Sequence, residues 1–376
     1  VVLGLVSFWN DTASEMVTPL LPVFLTATLG AGPAIVGLVE GIAEATASVL
    51  KLVSGRLADR GWGAKGLVLG GYGLSNAARP LIAFAPGWGV VLGLRFADRI
   101  GKGVRTAPRD AWIAAASADD RQGVAFGFQR ALDHAGAMVG PLAAFALLAS
   151  GVALRDVFAW SIVPGVAVLA LLLFGLPRPE RAPRPAAPPP LRWSALEARL
   201  RALVVAAGAL ALAAVPEAFL VLWARERGLD LAFVPLLWAA ASAVKAGVAG
   251  AAGALSDRLG RLPVVLGGWS ARVLVLLALA AASDGPGLTW ALFLAWAAAI
   301  ASTEGAERAL LGGLAPTAQR ATAFGLYHLT AGVAALPGAV LFGAVWEAFG
   351  APVAFGMAAA LTALAGAVFL ALARRG

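Results

Sequence analysis

Residues 55–63 read GRLADRGWG, and 198 positions later, at 253–261, the chain reads GALSDRLGR. Each copy places glycine, then Asp-Arg, then glycine in a short polar stretch between two long apolar runs. A second pair keeps the same offset: AFGFQR at 125–130 recurs as AFGLYH at 323–328. Two unrelated matches at one spacing indicate an internal duplication. The repeat is therefore read outward, as two copies of one architectural unit.

The composition says what that unit is made of. Of 376 residues, 60% are hydrophobic and 13% charged, with mean hydropathy +0.83. An ordinary soluble domain carries about 25% charged residues. The apolar residues gather in runs of about 20, enough to cross about 30 Å of hydrocarbon at about 1.5 Å per residue. VFAWSIVPGVAVLALLLFGL (157–176) does not alternate polar and apolar, which excludes a membrane barrel. The 45 glycines and abundant alanine suit close helix packing in a bilayer. The absence of cysteine excludes disulfides and thiolate metal sites. With two histidines and three methionines, a soft-metal pathway has little ligand supply, and no metal site is expected. No cleavable signal peptide is evident at Val1, which already lies in an apolar run.

Twelve spans are expected: 1–27, 33–54, 65–85, 88–107, 122–149, 157–176, 202–223, 232–254, 263–281, 288–308, 322–343 and 352–373. The predicted fold is an all-α membrane protein with two pseudo-symmetric six-helix bundles, 1–176 and 202–376. A Pro/Arg-rich cytoplasmic linker, 177–201, joins them. Six spans per bundle give both the same orientation, related by an axis along the membrane normal. With both termini in the cytoplasm, the inward loops carry most of the arginines, among them Arg56, Arg60, Arg109, Arg121, Arg258, Arg261, Arg320 and Arg374. The outward loops carry Arg155, Arg225 and Arg227. This is the positive-inside pattern, and it accounts for the net charge of +8 without nucleic acid.

Charges inside spans are costly, about 2.5–3.5 kcal/mol each at the bilayer centre on insertion scales. They are expected to cluster and face inward. Asp11 and Glu15 in span 1 lie four residues apart, on one helical face. Arg99 and Lys102 in span 4 are their expected counter-charges, with Asp98 and Lys102 able to pair locally. Glu44 in span 2, Arg130 and Asp133 in span 5, Glu217 in span 7, Lys245 in span 8, and Glu304 with Glu307 in span 10 complete the set. Arg130 and Asp133 can neutralise each other at i,i+3, and Glu304 can pair with Arg308. A carboxylate in such a place is pulled two ways. Desolvation favours its neutral form and a nearby guanidinium its charged form, so a helix shift that moves the arginine changes proton occupancy. The bland alternative is a static pair that only fixes packing.

Three pieces resemble the major facilitator superfamily over essentially the whole chain. GRLADRGWGAK (55–65), between spans 2 and 3, is similar to that family's loop signature Gly-x-x-x-Asp-Arg-x-Gly followed by a basic residue. RIGKGVRTA (99–107) resembles the Arg-x-x-Gln-Gly-x-Gly signature of proton-coupled members, with Lys102 in place of glutamine and Arg105 in place of the later glycine. Span 5 carries Gly127, Gly136, Gly140-Pro141 and Ala144, which resembles the antiporter signature; span 11 keeps Gly325 and Gly338. The resemblance implies alternating access around a central cavity. It also implies a conformational latch at Gly55, Asp59, Arg60 and Gly61, with Asp257 and Arg258 as counterparts.

The expected function is secondary active transport: proton-coupled antiport of a small organic compound out of the cell, resembling the drug and metabolite exporter branch. Two alternatives stay open, a proton-coupled uptake symporter for an anionic or zwitterionic solute and a non-transporting membrane sensor or scaffold. The expected partners are the solute, protons and the lipid bilayer of the inner (plasma) membrane, with no cofactor, no enzymatic activity and a monomeric state. GKGVRTAP (101–108) lacks P-loop spacing.

Overall fold

Hydrocarbon offers no hydrogen-bond partners, so a backbone crossing it must satisfy itself, and these apolar runs do so as helices. The computed structural model describes residues 1–59, 64–115, 122–175, 198–314 and 320–373. The helices fall in the order of the twelve expected spans. Span 1 comprises Val2–Val17, Leu21–Val23 and a π-helical turn Phe24–Thr28. Span 2 is Pro33–Asp59. Span 3 is Ala64–Leu81 with the 3-10 turn Ile82–Phe84. Span 4 is Trp88–Ala115, and span 5 is Gln122–Ala149. Span 6 is Leu154–Trp160 and Ile162–Phe174. Span 7 comprises Ala198–Leu212 and Glu217–Glu226. Spans 8 to 12 are Phe233–Leu259, Arg261–Ala281, Pro286–Leu314, Arg320–Phe349 and Ala351–Ala373. No strand occurs among the described residues.

Nine of these are long and apolar enough to cross a membrane by composition alone. The others are spans 1, 3 and 4. Span 1 is interrupted near Pro19 and Pro22, and span 4 carries Arg95, Asp98, Arg99, Lys102 and Arg105 along one helix. Together with span 5, these helices hold the first bundle's polar residues.

The same helix pairings recur in both halves of the chain. Span 1 packs on spans 5 and 6, and span 3 on spans 4 and 6; span 7 packs on 11 and 12, and span 9 on 10 and 12. One apolar core joins Leu3 and Val6 to Val68, Tyr72, Trp112 and Val168 from spans 1, 3, 4 and 6. Its counterpart joins Leu203, Val265, Trp269, Ala306 and Phe369 from spans 7, 9, 10 and 12. The first span of each half is broken, span 1 between Val17 and Leu21 and span 7 between Leu212 and Glu217. Two arginines close helix ends. Arg155 Nη1 donates to the carbonyls of Ala83 (2.8 Å) and Ala85 (3.0 Å), and Arg227 Nη2 donates to Ala282 O (3.0 Å). Each satisfies carbonyls that a helix C-terminus leaves unpaired.

Contacts divide the chain into two compact units that do not follow the two halves strictly. The first takes Val1–Ala31, the chain from Thr46 through span 6, and Leu231–Ala239. The second takes Gly32–Ala45, the chain from span 7 to Asp230, and everything from Ala240 onward. The start of span 2 therefore packs with span 11. A Cβ added at Gly41 would meet Leu336 and one at Gly343 would meet Pro33 O at 2.6 Å, so the two helices touch through backbone. The Glu347 carboxylate accepts a hydrogen bond from Ala34 N (3.0 Å), capping the first turn of span 2.

Candidate functional site

The first unit holds its charges in a layered network between spans 1, 3, 4 and 5. Its centre is Arg79, on a stripe of span 3 that also carries Tyr72, Ser75 and Asn76 at helical spacing. Arg79 Nε and Nη2 donate to one oxygen of Asp98 at 3.0 and 2.9 Å, and both side chains are almost wholly buried. Arg79 Nη1 donates to Asn10 O (3.1 Å), Asn10 Oδ1 (3.1 Å) and Asn76 Oδ1 (3.2 Å). Asn10 Nδ2 in turn donates to Asp11 Oδ1 (3.0 Å). A continuous hydrogen-bonded path thus runs from Asp11 through Asn10 and Arg79 to Asp98.

Asp98 gathers more than one cation. Arg95 and Arg99 both lie 3.9 Å from its second oxygen. Its backbone carbonyl accepts from Ser75 Oγ (2.9 Å), and Ser75 accepts from Arg105 Nη1 (2.7 Å). Arg105 also stacks over the Tyr72 ring, 4.3 Å from its centroid. Arg79, from another helix, reaches the Asp98 carboxylate. Arg79, Asn10 and Asn76 were not among the expected site residues; the polar stripe 72, 75, 76 and 79 on span 3 is the sequence signal that marks Arg79 and Asn76, and none marks Asn10.

Below this lies a second cluster around Asp133. Gln129 Nε2 donates to Asp133 Oδ2 (2.7 Å) and to Ser7 Oγ (3.1 Å), and Arg130 Nη1 lies 3.4 Å from the same carboxylate. Arg109 binds Asp110 Oδ1 (2.8 Å) and reaches Ser7 Oγ (3.4 Å). Asp11 is near enough to Asp133 for the two charges to interact. Arg130 is largely exposed and Asp133 buried, so Asp133 is the fixed member of the pair. Glu15 accepts a hydrogen bond from the Trp238 indole at 2.9 Å, within this same unit.

Span 5 approaches span 1 closely at this level. A Cβ on Gly136 would collide with the Phe8 backbone, and one on Gly140 would sit 2.5 Å from Thr12 O and 3.1 Å from Glu15 Cβ. The two glycines of the antiporter-like pattern therefore seat span 1 against span 5 beside Asp11 and Glu15. Gly338 does the same for spans 11 and 7, where a Cβ would meet Ala211 O and Leu212 O at 2.7 Å.

The second unit has two separate polar contacts. Lys245 of span 8 pairs with Glu217 of span 7, each about one-third exposed. Glu307 of span 10 is held by neutral donors: Trp269 Nε1 to Oε1 (2.7 Å) and Tyr327 OH to Oε2 (2.9 Å). Arg272 lies over the Trp296 ring, 5.3 Å from its centroid, and within electrostatic range of Glu307 without pairing to it. No group of three or more potential metal ligands occurs among the described residues.

This arrangement matches a known family. The Major Facilitator Superfamily profile covers residues 3–306. The chain belongs to the major facilitator superfamily. It is 32% identical over 348 residues to an uncharacterised protein of Mycobacterium tuberculosis (strain ATCC 25618 / H37Rv), covering 86% of this chain and 80% of that one. It is 29% identical over 355 residues to an uncharacterised MFS-type transporter of Methanocaldococcus jannaschii, covering 92% and 88%. Among solved structures it resembles a bacterial homologue of the human lysosomal transporter Spinster in an inward-facing, occupied conformation. That match has TM-score 0.82 at 16% identity, over 99% of this chain and 96% of that one. It also resembles the nucleoside transporter NupG, with TM-score 0.81 at 14% identity, over 99% and 98%. At such identities the likeness establishes the fold. The protein is a multi-pass membrane transporter of this superfamily, and the family implies a small-molecule substrate.

Not every residue expected of a major facilitator falls in the described part. Arg60 and Gly61 of the latch lie outside the described residues, as does the linker up to residue 197. Gly55 and Asp59 fall in the last turns of span 2, and Asp257 and Arg258 in those of span 8. Of these four only the Arg258 side chain is described, and it is exposed. Gly127 lies within span 5, and Pro141 is a proline inside that helix. Glu44 and Glu304 are exposed, while Lys102 is half-buried.

Proposed function

We propose that this major facilitator exports a small organic solute in exchange for protons, by alternating access. The observation that carries this reading is the path from Asp11 to Asp98. Asp11 is half-buried, at the accessible end of a chain whose far end is sealed among spans 3 and 4. Asn10 donates to the ionised Asp11 carboxylate in a charge-assisted bond. A proton on Asp11 makes it a neutral, weaker acceptor and loosens its hold on the Asn10 amide. Asn10 Oδ1 is one of the atoms holding Arg79, so the change reaches the Arg79–Asp98 pair and the seating of span 1 against spans 3 and 4. Protonation and helix packing are then one linked equilibrium. Glu15, one turn away and tied to span 8 through Trp238, is the second coupling group.

Arg99, Lys102, Arg130 and Asp133 serve in this reading as the charged surroundings that set the field at Asp11. Glu217 and Lys245 form the corresponding pair of the second unit, with Glu44 and Glu304 toward the accessible faces. The Gly55–Gly61 loop, with Asp257 and Arg258, latches the cytoplasmic side. The protein works as a monomer in the inner (plasma) membrane, with both termini in the cytoplasm. Gly136, Gly140 and Pro141 support export over import, because the span they shape is the one with the antiporter-like pattern.

A second reading, uptake of an anionic or zwitterionic solute with protons, is favoured by one feature: four arginines, 79, 95, 99 and 105, act on the single carboxylate of Asp98. Purified protein in liposomes separates the two. With an imposed pH gradient and a panel of compounds, wild-type flux is expected to run against proton flow. Asp11→Asn and Glu15→Gln are expected to lose gradient-driven flux and keep gradient-free exchange. If both variants keep full gradient-driven flux, the coupling assignment is wrong. Flux that runs with proton flow replaces export by uptake.

A further inference from the structure

We infer that Arg272 of span 9 and Trp296 of span 10 form a binding site for a small anion, either inorganic or the carboxylate of a transported solute. Span 9 buries the stripe Val265, Trp269, Leu276 and Leu279, and Arg272 falls on that stripe between Trp269 and Leu276. Its guanidinium lies over the Trp296 ring, 5.3 Å from the centroid. It makes no hydrogen bond and no ion pair among the described residues, and its Nε is sealed from the surface without an acceptor. Trp296 is 1% exposed, and its indole Nε1 has no acceptor either. A guanidinium and an indole are donors only. Two such side chains meet here in an apolar interior, where an unmatched N–H is costly. The Arg272 side chain is half-buried, so its outer edge is open to an incoming group.

The neighbouring polar groups do not supply the acceptor. Glu307 and Tyr327 act on Arg272 through space. The Glu307 oxygens accept from the Trp269 indole (2.7 Å) and the Tyr327 hydroxyl (2.9 Å). Glu307 thus tempers the charge of Arg272 and leaves its N–H groups unmatched. One turn from Arg272, a Cβ added at Gly268 would meet Ser302 and Thr303. Their hydroxyls donate to carbonyls of their own helix, Ala299 O (2.8 Å) and Ile300 O (3.3 Å).

The duplication points to the chemistry of the ligand. Trp296 stands 198 residues after Asp98, at the repeat offset. In the first bundle a span-3 arginine meets a carboxylate at that position: Arg79 Nε and Nη2 donate to Asp98 Oδ1 at 3.0 and 2.9 Å. In the second bundle a span-9 arginine meets an indole. The cation is kept and the acid is replaced by a second donor. An anion from outside the chain restores the acceptor that Asp98 provides in the first bundle. A carboxylate matches the guanidinium fork, and a halide accepts from guanidinium and indole alike. The solute arm of this inference rests on the transport reading above; the inorganic arm stands without it.

The test uses the full-length protein in nanodiscs of zwitterionic lipid, with chloride as the probe and the width of its NMR line as the readout, since bound chloride broadens the line. Part of the broadening is expected to vanish in Arg272→Gln. It should also fall in Trp296→Phe, which keeps an aromatic face for the guanidinium and removes only the N–H. Sodium benzoate, added to the wild type at fixed chloride, separates the sources. If it abolishes the Arg272-dependent broadening, the site takes carboxylates. The half-saturation concentration of a transported carboxylate in liposomes should then rise about tenfold in Arg272→Gln, with that of neutral compounds unchanged. Broadening that benzoate leaves intact assigns the site to an inorganic anion. Linewidths identical in wild type and Arg272→Gln, or in wild type and Trp296→Phe, would overturn the inference. If Arg272→Gln does not fold, the comparison of wild type with Trp296→Phe decides alone. Failure of the parent reading looks different: flux in liposomes would ignore the pH gradient, while the chloride linewidths still differed between wild type and variants.

Discussion

At the scale of single residues, the bilayer decides which charges can exist and the partner decides which are stable. Asp98 and Arg79 are both nearly sealed from the surface, so removing one leaves the other as an uncompensated buried charge. Breaking such a pair costs about 3–5 kcal/mol, whereas replacing both members by apolar residues is often neutral. Asp98→Leu alone is therefore expected to lower unfolding stability in mixed micelles by about that amount. The joint change Arg79→Met, Asp98→Leu should recover most of it. A double variant no more stable than Asp98→Leu would show that Arg79 works through Asn10 and Asn76 instead. This is also where the sequence was least readable. Asp11, Glu15 and Asp133 stand out because carboxylates in apolar runs are rare. Arg79 sits beside Pro80 near the end of a polar span, and passes for an interfacial residue. Its partners come from spans 1 and 4, and no local spacing reveals them. Glu307 was visible as a charge, but its neutral partners, Trp269 and Tyr327, belong to spans 9 and 11.

At the scale of elements, small residues set how near two helices come. Gly136 and Gly140 let span 5 lie against the backbone of span 1, and Gly71 and Gly101 let spans 3 and 4 touch, each facing the other's carbonyl. Gly66 and Gly70, on the same span 3, have nothing within 4 Å of an added Cβ. Gly136→Val or Gly140→Val is expected to destabilise by about 1–3 kcal/mol through overpacking. Gly70→Ala is expected to be neutral or to stabilise by up to about 1 kcal/mol through lower backbone entropy in the unfolded chain. Thermal unfolding of the three variants checks the contrast, and equal effects at positions 70 and 136 would refute the close-approach account. Helix existence and order were legible because about 20 apolar residues in a row have few other fates. Helix ends were less so: span 4 runs to Ala115 and span 11 to Phe349, past the expected 107 and 343, because amphipathic turns continue a helix beyond the oil. The breaks in spans 1 and 7 follow prolines that the hydropathy pattern alone passes over.

At the scale of the whole molecule, the duplication is written twice, once in sequence and once in helix pairing. The 198-residue offset that joins GRLADRGWG to GALSDRLGR also joins Gly140 to Gly338 and Arg109 with Gln129 to Glu307 with Tyr327. The close-packing Gly140 repeats as Gly338 while the charges diverge, as a shared mechanical frame with an asymmetric site requires. Orientation can be checked directly because the chain has no cysteine of its own. Ser150→Cys, between spans 5 and 6, is expected to react with a membrane-impermeant maleimide added to intact cells, and Ser194→Cys in the linker only after the cells are opened. The reverse pattern would invert the topology. The most direct measurement of the central claim follows solute and proton together, in liposomes that carry the wild-type protein and a trapped pH indicator. The account predicts that moving a transported compound down its own gradient drives protons the opposite way, and that a protonophore abolishes the pH change. Solute movement with no accompanying proton movement would contradict it.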